Sequence, residues 1–320
     1  MDIRNAQVDA ILSRRREEAV TRGEERRDSF YTRYPRLLDL DKQIQICKSD
    51  ILLQLATAPK SPPNYSALFS LETEKRVFMQ LEKIPEDFDR PVPFCHLCGD
   101  LGMSHGDICV CYRELSIPGL LQDGGLFDYR EITFSSYRED LYSEPDKMAL
   151  IRNLCGEYAL AFPGNKKNML FLGRPGTGKT FMALCVANDV VAKGVAVYFA
   201  RMNELLDVMN AYRIQMLSFS PDAELLTALV RKRQMIFEAD LLIIDELGVE
   251  AKGQNTTADL LEILGSRQVK RLATLITSNL TAADLQKNYD NRLYSRLFGD
   301  FSIVAFTGND IRLHPAYKTR

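Results

Sequence analysis

Two short stretches hold most of the residues able to do chemistry. The first is GRPGTGKT, residues 173–180, where Gly173, Gly178, Lys179 and Thr180 satisfy G-x-x-x-x-G-K-[ST]. Glycines at that spacing let the backbone wrap a phosphate chain and turn several N–H groups inward. Lys179 is the cation for the β- and γ-phosphates and the Thr180 hydroxyl is a ligand for Mg²⁺. Arg174, Pro175, Gly176 and Thr177 complete the loop, and Phe181 follows it. The expected partner is LLIIDE, residues 241–246, an apolar run ending in two carboxylates. Asp245 is placed to hold Mg²⁺ and Glu246 to orient and activate a water. That pairing favours hydrolysis of ATP over phosphoryl transfer to a small acceptor.

The second stretch is CHLCGDLGMSHGDICVC, residues 95–111. Cys95, Cys98, Cys109 and Cys111 form C-x2-C-x10-C-x-C, four soft ligands of the kind a tetrahedral zinc ion takes. The final C-x-C is shorter than the common C-x-x-C, so His96 or His105 stands as an alternative ligand. An iron–sulfur cluster on the four thiolates is a rival. The other cysteines, Cys47, Cys155 and Cys185, fall on apolar helix faces and read as structural.

Further polar residues extend the nucleotide signal. The run ATLITSNL ends in Ser278 and Asn279, and an amide there can position a water and sense the γ-phosphate. Arg292 and Arg296 lie four apart on one predicted helix face. They make either a solvated basic face or an arginine finger for a neighbouring subunit's ATP. The basic clusters Arg231–Lys232–Arg233, Arg267 with Lys270 and Arg271, and Lys318 with Arg320 read as solvated helix faces rather than phosphate contacts.

The elements that must position these residues are legible from residue 164 onward. MLFLG (169–173), VAVYFA (195–200), LLIID (241–245), TLITS (274–278) and SIVAF (302–306) alternate with helical segments. That rhythm predicts an α/β domain over 164–320 with a parallel sheet covered on both faces. Residues 1–90 predict a charged helical region that binds a partner. Leu40, Ile44, Cys47, Ile51 and Leu55 stripe one helix, Pro35 separates it from an earlier one carrying Ile11, Leu12, Ala19 and Val20, and Glu72–Lys83 is a third. The stripe serves packing, a docking face, or both. SPPN at 61–64 is a turn, 91–115 the zinc module and 116–163 a connector.

Composition sets limits. The 320 residues are 46% hydrophobic and 26% charged, with net charge −2. No overall basic field announces nucleic acid. No run of about 18 apolar residues predicts a membrane span. The start lacks a signal peptide's apolar segment, and an odd cysteine count argues against a disulfide framework. The expectation is a cytoplasmic protein with reduced thiols.

GRPGTGKT, LLIIDELG, ITSNL, RLYSRL and FTGNDIR together resemble AAA+ ATPases of the bacterial DnaC/DnaI helicase-loader type, with the IstB-like transposition helpers as a related alternative. CHLCGDLG followed by CVC and an aromatic connector (Phe134, Tyr137) is similar to loader-family members in which C-x-x-C-x-D-x-G precedes C-x-C. Here the aspartate of that pattern is Asp100. The resemblance covers residues 90–320 well and 1–90 only as a charged helical region. It implies strand order 5-1-4-3-2, ATP at interfaces between self-associated ATPase domains, and single-stranded DNA as a ligand. It also implies an N-terminal region that binds a hexameric replicative DNA helicase. Asn279 becomes the γ-phosphate sensor, Arg296 the first arginine-finger candidate with Arg292 beside it, and Arg312 a second sensor. The chain stops eight residues after Arg312, so a helical lid is not expected.

Overall fold

Pro35 breaks a long helical stretch in two. Its missing N–H and fixed φ suit the first position of a helix, where no intrahelical donor is needed. Helix α1 (Ala6–Arg33) ends just before it and α2 (Pro35–Thr57) starts on it; α3 (Ser66–Leu81) begins six residues before Glu72, the expected start. The computed structural model describes residues 6–57, 65–164, 166–250 and 255–317. The turn expected at 61–64, and Lys318 and Arg320, lie outside them.

The stripe of α2 is buried at Leu37, Leu40, Ile44 and Ile51, with Cys47 half-buried. It fades at its end, where Leu55 is exposed together with Leu52 and Leu53. On α1, Leu12 and Ala19 are buried but Val20 faces solvent. Leu37, Met79, Ile84 and Phe88 form a small core ringed by Phe30, Tyr31, Tyr34 and Phe78. Phe30 and Phe88 meet edge to face at 5.5 Å, an arrangement the ring quadrupoles favour.

The cysteine-rich segment packs on α1. It carries a hairpin, β1 (Met103–Ser104) and β2 (Asp107–Ile108), and runs into α4 (Val110–Asp123). His105 and Gly106 both take positive φ, as a two-residue hairpin turn demands. Arg16 Nη1 donates to the Asp100 carbonyl at 2.6 Å, and the Leu12 side chain lies against Gly102. Helices and cysteine segment therefore form one compact unit that closes at Tyr112, and a second unit begins at Arg113.

In the second unit the connector contains α5 (Pro145–Ala161), the helix on whose apolar face Cys155 was expected. Met148, Cys155, Tyr158 and Ala159 are its buried side. The five expected strands follow: β3 (Asn168–Gly173), β4 (Val197–Arg201), β5 (Leu241–Leu247), β6 (Ala273–Ser278) and β7 (Phe301–Phe306). All pair in parallel, in the order β4-β5-β6-β3-β7. Numbered among themselves the strands run 5-1-4-3-2, the order the AAA+ resemblance implies.

Side-chain alternation splits the core into two layers. Leu242 and Ile244 of β5 join one, with α7 (Met202–Leu217), α8 (Ala223–Glu238), α9 (Thr256–Val269) and α11 (Asn291–Gly299). Leu241 and Ile243 join the other, with α5 and α6 (Lys179–Val191). A short helix, α10 (Ala282–Asn288), links β6 to α11. Cys155 and Cys185 are fully buried.

Arg267 departs from its expected place on a basic surface. It is 1% exposed, and its guanidinium donates to Thr274 Oγ1, the Ile236 carbonyl and the Ala273 carbonyl. A cation can be buried only when its donors find acceptors, and here three do. Arg267 ties α9 to β6 and the end of α8, out of reach of any phosphate chain. Among the described residues, no helix is long and apolar enough to cross a membrane.

Candidate functional site

The phosphate loop sits between β3 and α6. Gly176 and Gly178 take φ of +75° and +94°, a region L-residues with a Cβ rarely adopt. Gly173 lies against β7, where a Cβ would come within 2.3 Å of the Phe306 carbonyl oxygen. Thr177 is buried and donates back to the Arg174 carbonyl at 2.8 Å, while Arg174 and Pro175 are exposed. Lys179 Nζ donates to the carbonyls of Gly173 and Arg174, both at 2.8 Å. Burial pushes the Lys179 ammonium down to about 8, with Asp245 acting against that shift and Arg312 adding to it.

Three polar side chains meet beside the loop. Thr180 Oγ1 lies 2.9 and 3.1 Å from the two Asp245 carboxylate oxygens. The Thr277 hydroxyl donates to Asp245 Oδ1 at 2.6 Å and accepts from the Glu246 N–H at 3.0 Å. Asp245 is 2% exposed. Thr277 was not among the expected site residues. The signal existed: it lies two places before Asn279 in the run ATLITSNL, and alternate residues of an extended run share a face.

Glu246 is held in an unusual backbone state. Ile244 pairs with Ile276, but Leu247 pairs with Ser278, so β5 has one residue more than β6 across this step. Such a bulge re-aims a side chain. Glu246 has φ +63°, uncommon for a residue with a Cβ and often found at functional sites. Gly248, at φ +99°, lets the chain turn away where a Cβ would strike Leu280.

One cleft collects these groups. Pro175, Gly176, Gly178, Lys179, Thr180 and Phe181 line one side; Glu246, Thr277 and Asn279 line another; Ile311, Arg312 and Tyr317 close it. The expected Arg312 is therefore in the cleft. The connector contributes Tyr142, whose hydroxyl would lie 2.8 Å from a Cβ on Gly178, and Tyr137 stacks on Tyr142. Thr180 and Asp245 are the hard oxygen ligands Mg²⁺ takes, and they already converge.

The two finger candidates are elsewhere. Arg292 is exposed near the start of α11. Arg296 is half-buried, and its Nη1 donates to the Leu261 carbonyl of α9 at 3.3 Å. It shares a small cavity with Asn168 and Phe301, at the starts of β3 and β7 and so at the end of the sheet opposite the phosphate loop.

The second candidate centre is in the first unit. The Cys95, Cys98, Cys109 and Cys111 sulfurs all lie within 4.8 Å of one another. Cys95 and Cys109 are 3.7 Å apart and Cys98 and Cys111 are 3.5 Å apart. Tetrahedral zinc with bonds of about 2.3 Å needs sulfurs roughly 3.8 Å apart, so the four fit. Among the described residues, neither His96 nor His105 joins the cluster, and both side chains are exposed. The buried Asp100 carboxylate accepts from the Phe94 N–H at 2.8 Å and the Cys95 N–H at 3.0 Å, and so orients the first ligand turn. Burial pushes the Cys95 thiol up, and hydrogen bonds led by the Cys98 N–H bring it down to about 7. Burial and then the neighbouring sulfurs push Cys111 up. A divalent cation among them removes that conflict.

The profile of the family described as IstB-like ATP binding protein matches residues 144–318, more than half of the chain. The chain belongs to this family. The matched span of this IstB-like protein starts just before α5 and includes the phosphate loop, Glu246, Thr277, Asn279 and Arg312, while Tyr142 lies just before it. The replicative helicase loader DnaC of Escherichia coli K12 is 24% identical over 186 residues, covering 58% of this chain and 70% of that protein. A crystal structure of the DnaC helicase loader superposes with a TM-score of 0.46 at 17% identity, over 57% of this chain and 99% of that one. For a crystal structure of DnaI the values are 0.44, 20%, 58% and 93%.

Two outcomes test the sites. The protein purified without chelator is expected to carry about one zinc ion per chain by elemental analysis, and Cys98→Ser to lose most of it. Phosphate favours charged Lys179, so ATP affinity is complete below pH 8 and falls as pH rises through it. Equilibrium titration is expected to give about 10-fold weaker binding at pH 9 than at pH 7.

Proposed function

We propose that this protein is an ATPase that loads a replicative DNA helicase onto single-stranded DNA. The observation that carries the enzymatic half is the network in which Thr277 joins Asp245 to the Glu246 backbone, opposite Thr180 and Lys179. Lys179 and the loop N–H groups hold the phosphates. The bulge presents Glu246 as the base that takes a proton from water as the water oxygen bonds to the γ-phosphorus and the bond to the β–γ bridging oxygen breaks, releasing ADP. Asn279 orients that water. Thr180 and Asp245 would hold Mg²⁺ with the nucleotide, and the ion would supply positive charge against the phosphates. Arg292, exposed on α11, is the better finger for a neighbouring subunit, because Arg296 is engaged with α9 in its own chain.

The loader half rests on the likeness to proteins named replicative helicase loaders and on the surface of the first unit. Ile46, Leu52, Leu53, Phe69 and Leu81 of α2 and α3 are all more than 60% exposed. Five large apolar side chains left in solvent on two helices support a protein-binding role for this unit. Zinc on the four cysteines staples the same unit, whose own core is small.

Two experiments decide between the parts. Glu246→Gln is expected to keep ATP binding while turnover falls about 10²-fold or more. Unchanged hydrolysis removes Glu246 from its role. Mixed with the host's replicative helicase, the full chain is expected to co-elute in size-exclusion chromatography with light scattering, and Phe69→Glu to weaken that complex about 10-fold. No complex in any nucleotide state leaves the transposition-helper reading, tested next with a transposase on duplex DNA.

A further inference from the structure

The chain beyond β7 returns to the phosphate loop and bonds to it. Ile311 N–H donates to the Gly176 carbonyl at 3.0 Å. On the other side of the segment, Asn309 N–H donates to Ser143 Oγ at 2.9 Å and Thr307 Oγ1 lies 3.1 Å from Glu144 Oε2. The segment is thus a strap fixed at once to the loop and to the connector.

Asp310 is the residue on which this strap turns. Its carboxylate occupies the space above Gly176: a Cβ on that glycine would lie 1.9 Å from Asp310 Oδ1. The missing side chain of a phosphate-loop glycine is the seat for the carboxylate. The same carboxylate accepts from the Arg312 N–H at 3.0 Å, capping the turn that follows. It also receives Arg312 Nε at 2.9 Å and Nη2 at 2.7 Å, a two-point grip on the guanidinium. The Arg312 side chain is 55% exposed, so the ion pair adds little to stability. What the grip does is fix where the planar guanidinium points, and Arg312 lines the nucleotide cleft.

We propose that Asp310 is a positioning residue of the nucleotide site: seated on Gly176, it holds Arg312 aimed at the bound phosphates. Asp310 does not itself touch the nucleotide; an acid there would repel it. It acts through Arg312, and it ties the direction of that arginine to the conformation of the loop. This assignment rests on the reading of the cleft as an ATP-hydrolysing site.

The test uses the full chain as wild type, Asp310→Ala, Asp310→Asn, Arg312→Ala and the Asp310→Ala/Arg312→Ala double variant. Steady-state hydrolysis gives kcat and KM for each, and thermal unfolding checks the fold. Asp310→Ala and Arg312→Ala are each expected to lower kcat/KM about 10-fold, the scale of lost hydrogen bonds to a charged group. The double variant is expected to lie within about two-fold of Arg312→Ala alone, because residues acting as one unit are not additive. Asp310→Asn keeps the turn cap and the seat but loses the charge-assisted grip, and falls between Asp310→Ala and wild type. If Asp310→Ala unfolds early, the asparagine variant, combined with Arg312→Ala, carries the same comparison. Losses that multiply in the double variant, or an Asp310→Ala enzyme equal to wild type, overturn the proposal while leaving the ATPase reading intact. A wild-type chain that does not hydrolyse ATP overturns both.

Discussion

A carboxylate buried in an apolar strand is the constraint around which the nucleotide site is built. Asp245 sits at the end of a strand whose preceding four residues are fully buried, and is itself 2% exposed. An ionised acid in that position is tolerable only with hydrogen-bond donors on hand. Thr180 and Thr277 supply hydroxyls from α6 and β6. One acid thereby locks three elements into register, and those elements carry the phosphate loop, the second acid and Asn279. The Thr277 hydroxyl extends the same constraint to Glu246 by accepting its N–H.

The bulge changes where the second of two adjacent acids points. In a regular strand, successive side chains point to opposite faces. Asp245 would then face the loop and the next residue would face away. The extra residue between Ile244 and Leu247, with Glu246 at positive φ, breaks that alternation and returns Glu246 to the cleft. The local strain persists because the strand on either side of it is fixed by parallel pairing and burial.

The first unit solves a different problem. Its aromatic core is small, and much of the apolar surface of α2 and α3 stays in solvent. The four cysteine sulfurs lie where a single tetrahedral ion would join the two ends of the 95–111 segment. Asp100 orients the first ligand turn through two backbone N–H groups, and Arg16 connects that turn to α1. A metal in that position would stiffen the unit without an enlarged core.

Much of this was legible in the residues alone. The phosphate loop, the paired acids, the four cysteines, the five strands and the break at Pro35 each depend on patterns within a few consecutive residues, and local spacing is enough to read them. The strand order needed the family resemblance, because pairing between distant strands leaves no local mark. Of helix α5 only the apolar face at Cys155 was legible; its bounds were not, since proline and aromatic residues around it read as connector. Long-range contacts were invisible. Nothing near Arg267 in sequence says that its three acceptors include a carbonyl from α8, and nothing near Asp310 says that its seat is a glycine more than a hundred residues earlier. Residue types and short spacings determined which chemistry this chain can perform. Only the tertiary structure decided which polar groups share one cleft, because a hydrogen bond between distant residues is set by the packing that brings them together.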